Sequence, residues 1–168
     1  MLRKTSLLLA FVILFETLAF AGIGSKEAAY VGGTVHGFEG EKDLVSGELD
    51  TANNDQIRFV PKNKKAAQSF TIPYSAIIDI EYGQKAGRRV GAAVATAILL
   101  TPIGLFALFS KKRKHYITIG FKDTEGKDQV AVFELGKDIV RTTLAIVETR
   151  SGKKIEYQDK EAEKAGRG

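Results

Sequence analysis

From Val90 to Phe109 the chain runs for about twenty residues without a charged side chain. As one straight helix such a run would measure about 30 Å, the thickness of a bilayer's hydrocarbon core. Its flanks are cationic: Lys85, Arg88 and Arg89 precede it, and Lys111, Lys112, Arg113 and Lys114 follow. On either side lie segments with the period-two alternation of β-strands, Ile77 to Tyr82 and Tyr116 to Phe121. These read as consecutive strands of one small sheet. Strands on opposite sides of a membrane cannot pair, so both ends of the apolar run belong on one side and the run must turn back. Thr101-Pro102-Ile103-Gly104 is the place: proline lacks a backbone donor and disfavours helix at the preceding residue, and glycine relieves crowding. The helical arms would measure roughly 16 and 10 Å, which enters one leaflet without crossing.

The expected insert therefore covers 88–110 and is a re-entrant apolar hairpin. Val90, Val94, Ile98, Leu99, Leu100, Pro102, Ile103, Leu105, Phe106 and Phe109 would be its membrane-inserting residues. Arg88, Arg89, Lys111, Lys112, Arg113 and Lys114 form a collar suited to anionic head groups, each contributing about 1 kcal/mol near such a surface. Gly91, Ala92, Ala93 and Ala95 would let the two arms approach closely. Two alternatives stay open. One is a single true span, with the heavier cation cluster after Phe109 on the cytoplasmic side. The other is a hairpin packed on the domain's own sheet, since exposed backbone at a hairpin tip is costly in hydrocarbon.

Residues 1–21 have the layout of a secretory signal: Arg3 and Lys4, an apolar run from Leu7 to Phe15, then Ala19-Phe20-Ala21 as a cleavage site that would leave Gly22 first. That run is too short to span a bilayer as a helix. The expected location is thus the periplasm or cell envelope, in association with a membrane. The chain has no cysteine, so its core must hold without disulfides. The formal charge is +5, an excess compatible with anionic partners.

The rest reads as one domain, 22–157, interrupted by the insert. Strand-like segments occur at Tyr30 to Phe38, Gly47 to Thr51, Gln56 to Val60, Phe70 to Tyr74, Ile77 to Tyr82, Tyr116 to Phe121 and Gln129 to Leu135. Pro73 marks an edge or a strand end. Ile78, Ile80 and Tyr82 are expected on one face, Asp79 and Glu81 on the other. Asp123-Thr124-Glu125-Gly126 is a turn joining the last two strands as a hairpin. From Asp138 the period becomes helical through Val140, Leu144 and Val147, with Arg150 in the last turn and Gly152 beyond it. Lys153 to Tyr157 adds a short extended segment. Residues 158–168 are charged and lack apolar anchors, which predicts a disordered tail.

The run Phe70-Thr71-Ile72-Pro73-Tyr74-Ser75-Ala76-Ile77-Ile78-Asp79-Ile80-Glu81 resembles a stretch of the GRAM and bacterial pleckstrin-homology-like (PH-like) domains. The closing hairpin and C-terminal helix sit where that family has them, over about 28–150. The resemblance implies a mainly β fold: a bent barrel or sandwich of about six or seven antiparallel strands closed by an amphipathic helix. It also implies a binding module for membranes, phosphoinositides or peptides. The long apolar insert departs from the family pattern.

The chemistry-bearing residues point away from catalysis. His36 and His115 have no paired histidine or cysteine, so no metal and no cofactor is expected. Ser46, Ser75 and Ser151 lack a nucleophile-elbow context, and no phosphate-loop motif is present. Asp79 and Glu81 could serve a hydrolase, but alternating with isoleucines they read as a solvated strand face. A basic patch for nucleic acid would explain Lys111 to Lys114 but not the apolar run beside it. The expected partner is an anionic bilayer, with a homo-oligomer or protein partner in addition. The readings carried forward are a non-catalytic membrane-associated binding or scaffold module, a self-assembling membrane-active protein, and a two-span membrane protein.

Overall fold

A computed structural model describes residues 24, 26–38, 44–63, 68–84 and 114–168. The strands are β1 (Lys26–Gly33), β2 (Val45–Asp50), β3 (Gln56–Pro61), β4 (Phe70–Pro73), β5 (Ile77–Gly83), β6 (His115–Lys122), β7 (Asp128–Leu135) and β8 (Ile155–Tyr157). A single 3-10 turn, Tyr74–Ala76, joins β4 to β5, and two helices follow β7: α1 (Val140–Ser151) and α2 (Lys160–Arg167). All eight strands form one sheet in the order β4-β3-β2-β1-β7-β6-β5-β8, curled into a half-barrel. Neighbours are antiparallel except β5 and β8, where Ile80 faces Ile155 and Tyr82 faces Tyr157 in parallel register.

The curl encloses an aromatic core. Tyr30, Phe38, Phe59, Phe70 and Phe133 meet with ring centroids as close as 4.8 Å, between Tyr30 and Phe38, and Phe59 lies 5.4 Å from Phe133. Each comes from a different segment, so this cluster joins both halves of the sheet. Helix α1 packs into the same core with Val140, Thr143, Leu144, Ile146 and Val147 buried. At its C-terminal end the Arg150 guanidinium donates to the Asn53 carbonyl at 2.8 Å and to the Tyr74 hydroxyl at 3.3 Å, and lies 5.5 Å from the Tyr74 ring centre. One cation thus fastens the helix end to the β2–β3 turn and the 3-10 turn.

The β6–β7 hairpin forms as expected. The Asp123 carboxylate accepts from the Glu125 and Lys127 backbone N–H groups, both at 2.9 Å, and Gly126 takes φ +78°. A second glycine requirement lies at Gly33, with φ +139° at the end of β1. A Cβ there would stand 2.0 Å from the Val130 carbonyl oxygen, a backbone atom that cannot yield. Gly33→Ala is therefore expected to cost about 3 kcal/mol, combining backbone strain with the clash. Equilibrium urea unfolding checks it; an unchanged midpoint would contradict the geometry.

Four expectations are corrected. Among the described residues the strands number eight, because the extended segment expected at Lys153 to Tyr157 pairs as a parallel strand, Ile155–Tyr157, at the β5 edge. Ile78 does not share the inner face with Ile80 and Tyr82. A register shift between Ile77 and Asp79 turns it outward, 42% exposed, and Ile77 takes the core position. Asp138 precedes the helix instead of opening it; α1 starts at Val140 with no acidic residue in its first turn. Residues 160–167 form helix α2 in place of a disordered tail. Asp159 caps it by accepting from the Ala162 N–H at 2.8 Å, and its anchors are small: Ala162 and Gly166, four residues apart, press onto the core side. The expected hairpin of 88–110 and the signal segment 1–21 lie outside the described residues.

Candidate functional site

The site begins where the apolar insert joins the sheet. Gly83, closing β5, pairs with Tyr116 in β6, and the Lys114 N–H reaches the Gln84 carbonyl at 3.4 Å. Gln84 and Lys114, which flank residues 85–113, are therefore neighbours at the same end of two paired strands. Of the expected site residues, only Lys114 falls among the described ones. Its ammonium bonds the Glu134 carboxylate at 2.8 Å, fixing the collar's last cation to β7. Val90, Val94, Ile98, Leu99, Leu100, Pro102, Ile103, Leu105, Phe106 and Phe109 lie outside them, as do Arg88, Arg89, Lys111, Lys112 and Arg113.

Beneath this junction is a cluster that alternation alone does not reveal. The Tyr82 hydroxyl shares a hydrogen bond with His115 Nδ1, and the two rings stack 12° from parallel at 6.1 Å. Tyr157 meets Tyr82 edge-on at 5.9 Å, and the Arg167 guanidinium lies 5.1 Å from the Tyr157 ring centre. Thus β5, β6, β8 and α2 converge on the insert's root. Burial, reinforced by Tyr157, pushes the Tyr82 hydroxyl up to about 12, and burial with Glu134 does the same for Tyr116. Both phenols are neutral hydrogen-bonding groups near pH 7. Burial first, and the Lys137 charge second, hold the His115 imidazole below its ordinary value of 6.5.

The sign of the resulting pH effect follows from proton counting. As pH falls below about 6.5, the unfolded chain takes up a proton at His115 before the folded chain does, so stability declines across that window. His115→Gln is expected to flatten this decline. Thermal unfolding at pH 7.5 and 5.5 checks it: the wild-type midpoint should drop more than that of the variant.

On the outer face of β5, the Asp79 carboxylate accepts from the Gly120 N–H and is held above the usual carboxylate range by burial. Glu81 lies two residues on, on the same face and buried. A separate groove of about 520 Å³ lies between α1, β8 and α2, lined in part by Arg141, Leu144, Glu148, Tyr157 and Arg167. Among the described residues no group of His, Cys, Asp and Glu is placed to hold a metal ion, and no helix is long and apolar enough to cross a membrane.

Among the described residues the architecture is mainly β, one curled sheet with two short helices. The chain matches no protein-family model and no curated protein.

Proposed function

We propose that this chain is a non-catalytic, exported, PH/GRAM-like binding or scaffold module held at an anionic bilayer by its apolar insert and cationic collar. The observation that carries the reading is the junction of β5 and β6. The segment that contains the uncharged run, long enough to reach across a bilayer, leaves the sheet after Gln84 and rejoins it at Lys114, two residues whose backbones are hydrogen-bonded. A segment with both ends at one place enters lipid and returns, which favours a re-entrant hairpin over a single span. The curled sheet with α1 packed into it is the kind of scaffold the PH-like resemblance implies. The insert would then be the element added to it.

Vesicle flotation tests this. The chain from Gly22 onward should float with vesicles of mixed phosphatidylcholine and phosphatidylglycerol and much less with phosphatidylcholine alone. A version with 88–109 replaced by a short Gly-Ser loop should stay at the bottom. An intact chain that floats with neither vesicle would overturn the proposal.

A further inference from the structure

Four buried apolar side chains stand apart from the core. Val31, Tyr116, Val130 and Val132 are 3%, 5%, 4% and 4% exposed, yet none belongs to the cluster inside the curl. Their neighbours in sequence do: Tyr30, Ile117, Ala131 and Phe133 point inward. By the alternation of strands, the four lie on the outer face of three adjacent strands, β1, β7 and β6. In the register, Val132 stands beside Thr118 and Gly32, and Val130 beside Gly120. A sheet apolar on both faces is a sheet covered on both faces. The described helices supply the inner cover: the apolar residues they bury, such as Leu144, Val147 and Ala162, all belong to the inner cluster. No described element contributes a buried apolar side chain to the outer patch.

We infer that the outer face of β6, β7 and β1 is the seat of the chain's own apolar insert, residues 90–109, when the protein is in water. This goes beyond the bilayer reading, which concerns the protein at a membrane. Three observations select this occupant. The insert is tethered near the patch, since the chain that carries it leaves the sheet after Gln84 and returns at Lys114, two residues before Tyr116, one of the four. Its size fits: strands of eight residues run about 26 Å, longer than either helical arm. The axes of two packed helices stand about 8–10 Å apart, which matches the roughly 10 Å between the outer two of three adjacent strands. Charge also matches, because the outer face beside the patch carries Asp79, Glu81 and Glu134, and the insert's ends carry Arg88, Arg89 and Lys111 to Lys114. The Lys114–Glu134 pair at 2.8 Å already joins the two sets.

The test uses the absence of native cysteine. Val132→Cys nearly preserves volume at a buried site, and Glu125→Cys on the exposed β6–β7 turn serves as reference. In the full chain without lipid, Val132→Cys should react with a maleimide at least about tenfold more slowly than Glu125→Cys, as for a site reached only by local opening. Val132→Cys combined in turn with Ala95→Cys, Leu99→Cys, Ile103→Cys and Phe106→Cys should give an intramolecular disulfide in at least one pair on mild oxidation, with no deletion needed. Rapid labelling of Val132→Cys, or failure of every pair, overturns the inference. So does a disulfide formed instead with Leu8→Cys in the unprocessed chain, which would make the leader the occupant. Anionic vesicles separate the two proposals. Protection in water that persists without flotation leaves the seat standing and removes the bilayer reading; flotation by a chain never protected in water does the reverse.

Discussion

Replacing Phe133 by alanine should destabilise the fold by about 3–5 kcal/mol, the range for emptying a fully buried aromatic site. Phe133 is 0% exposed and sits where both halves of the sheet meet. Its ring stacks on Phe70 at 6.0 Å, meets Tyr30 edge-on at 6.0 Å and lies 5.4 Å from Phe59. Those partners belong to β1, β3 and β4, so they cannot close the cavity without dragging strands out of register. A small domain has about 5–15 kcal/mol in all, and the variant would keep a fraction of it. Urea unfolding followed by tyrosine fluorescence reads the loss. Val60→Ala on β3, only partly buried, should cost far less. Equal costs at the two positions would contradict the placement of the core.

The second large effect concerns the collar. Replacing Lys111, Lys112 and Arg113 with glutamine removes three charges, each contributing about 1 kcal/mol at an anionic surface. Binding to phosphatidylglycerol-containing vesicles should weaken on the order of a hundredfold. Salt should discriminate as well. Going from 0.1 to 1 M shortens the screening length from about 10 to about 3 Å, so wild-type binding should fall steeply and the residual binding of the variant, which keeps Arg88, Arg89 and Lys114, should fall less. A variant that binds like the wild type at every salt concentration would remove the collar's assigned role and leave apolar insertion alone.

The hairpin was legible because its turn carries its own chemistry: an aspartate to accept two N–H groups and a glycine for positive φ. The helix body was legible from its period, but its start was not, since Asp138 looks like a first-turn acid and lies before the helix. Helix α2 escaped because its buried face is made of Ala162 and Gly166. A hydropathy pattern gives little weight to an alanine and a glycine, although smallness lets a helix approach Tyr157 and Tyr82 closely. Alternation placed Ile78 inside until one bulge reversed it.

The candidate site was legible only in part. The charge-free run and its cations are visible as composition. That Tyr82 reaches His115, or that Val130, Val132 and Tyr116 share a face with Val31, depends on strand order and register. Both join residues far apart in sequence, and no short window contains them.

The central pairing of the sheet also has a kinetic consequence. β1, the first strand, lies against β7, and Thr34 reaches across ninety-five residues to Gln129. A growing chain can assemble β1 to β4 as a meander early, but one flank of β1 stays open until nearly all the rest has been made. High contact order of this kind slows folding and delays cooperative closure to the end of synthesis. On the proposed route of export, that delay would be an advantage: the polypeptide would stay pliable during passage and complete its fold once β7 had emerged on the far side.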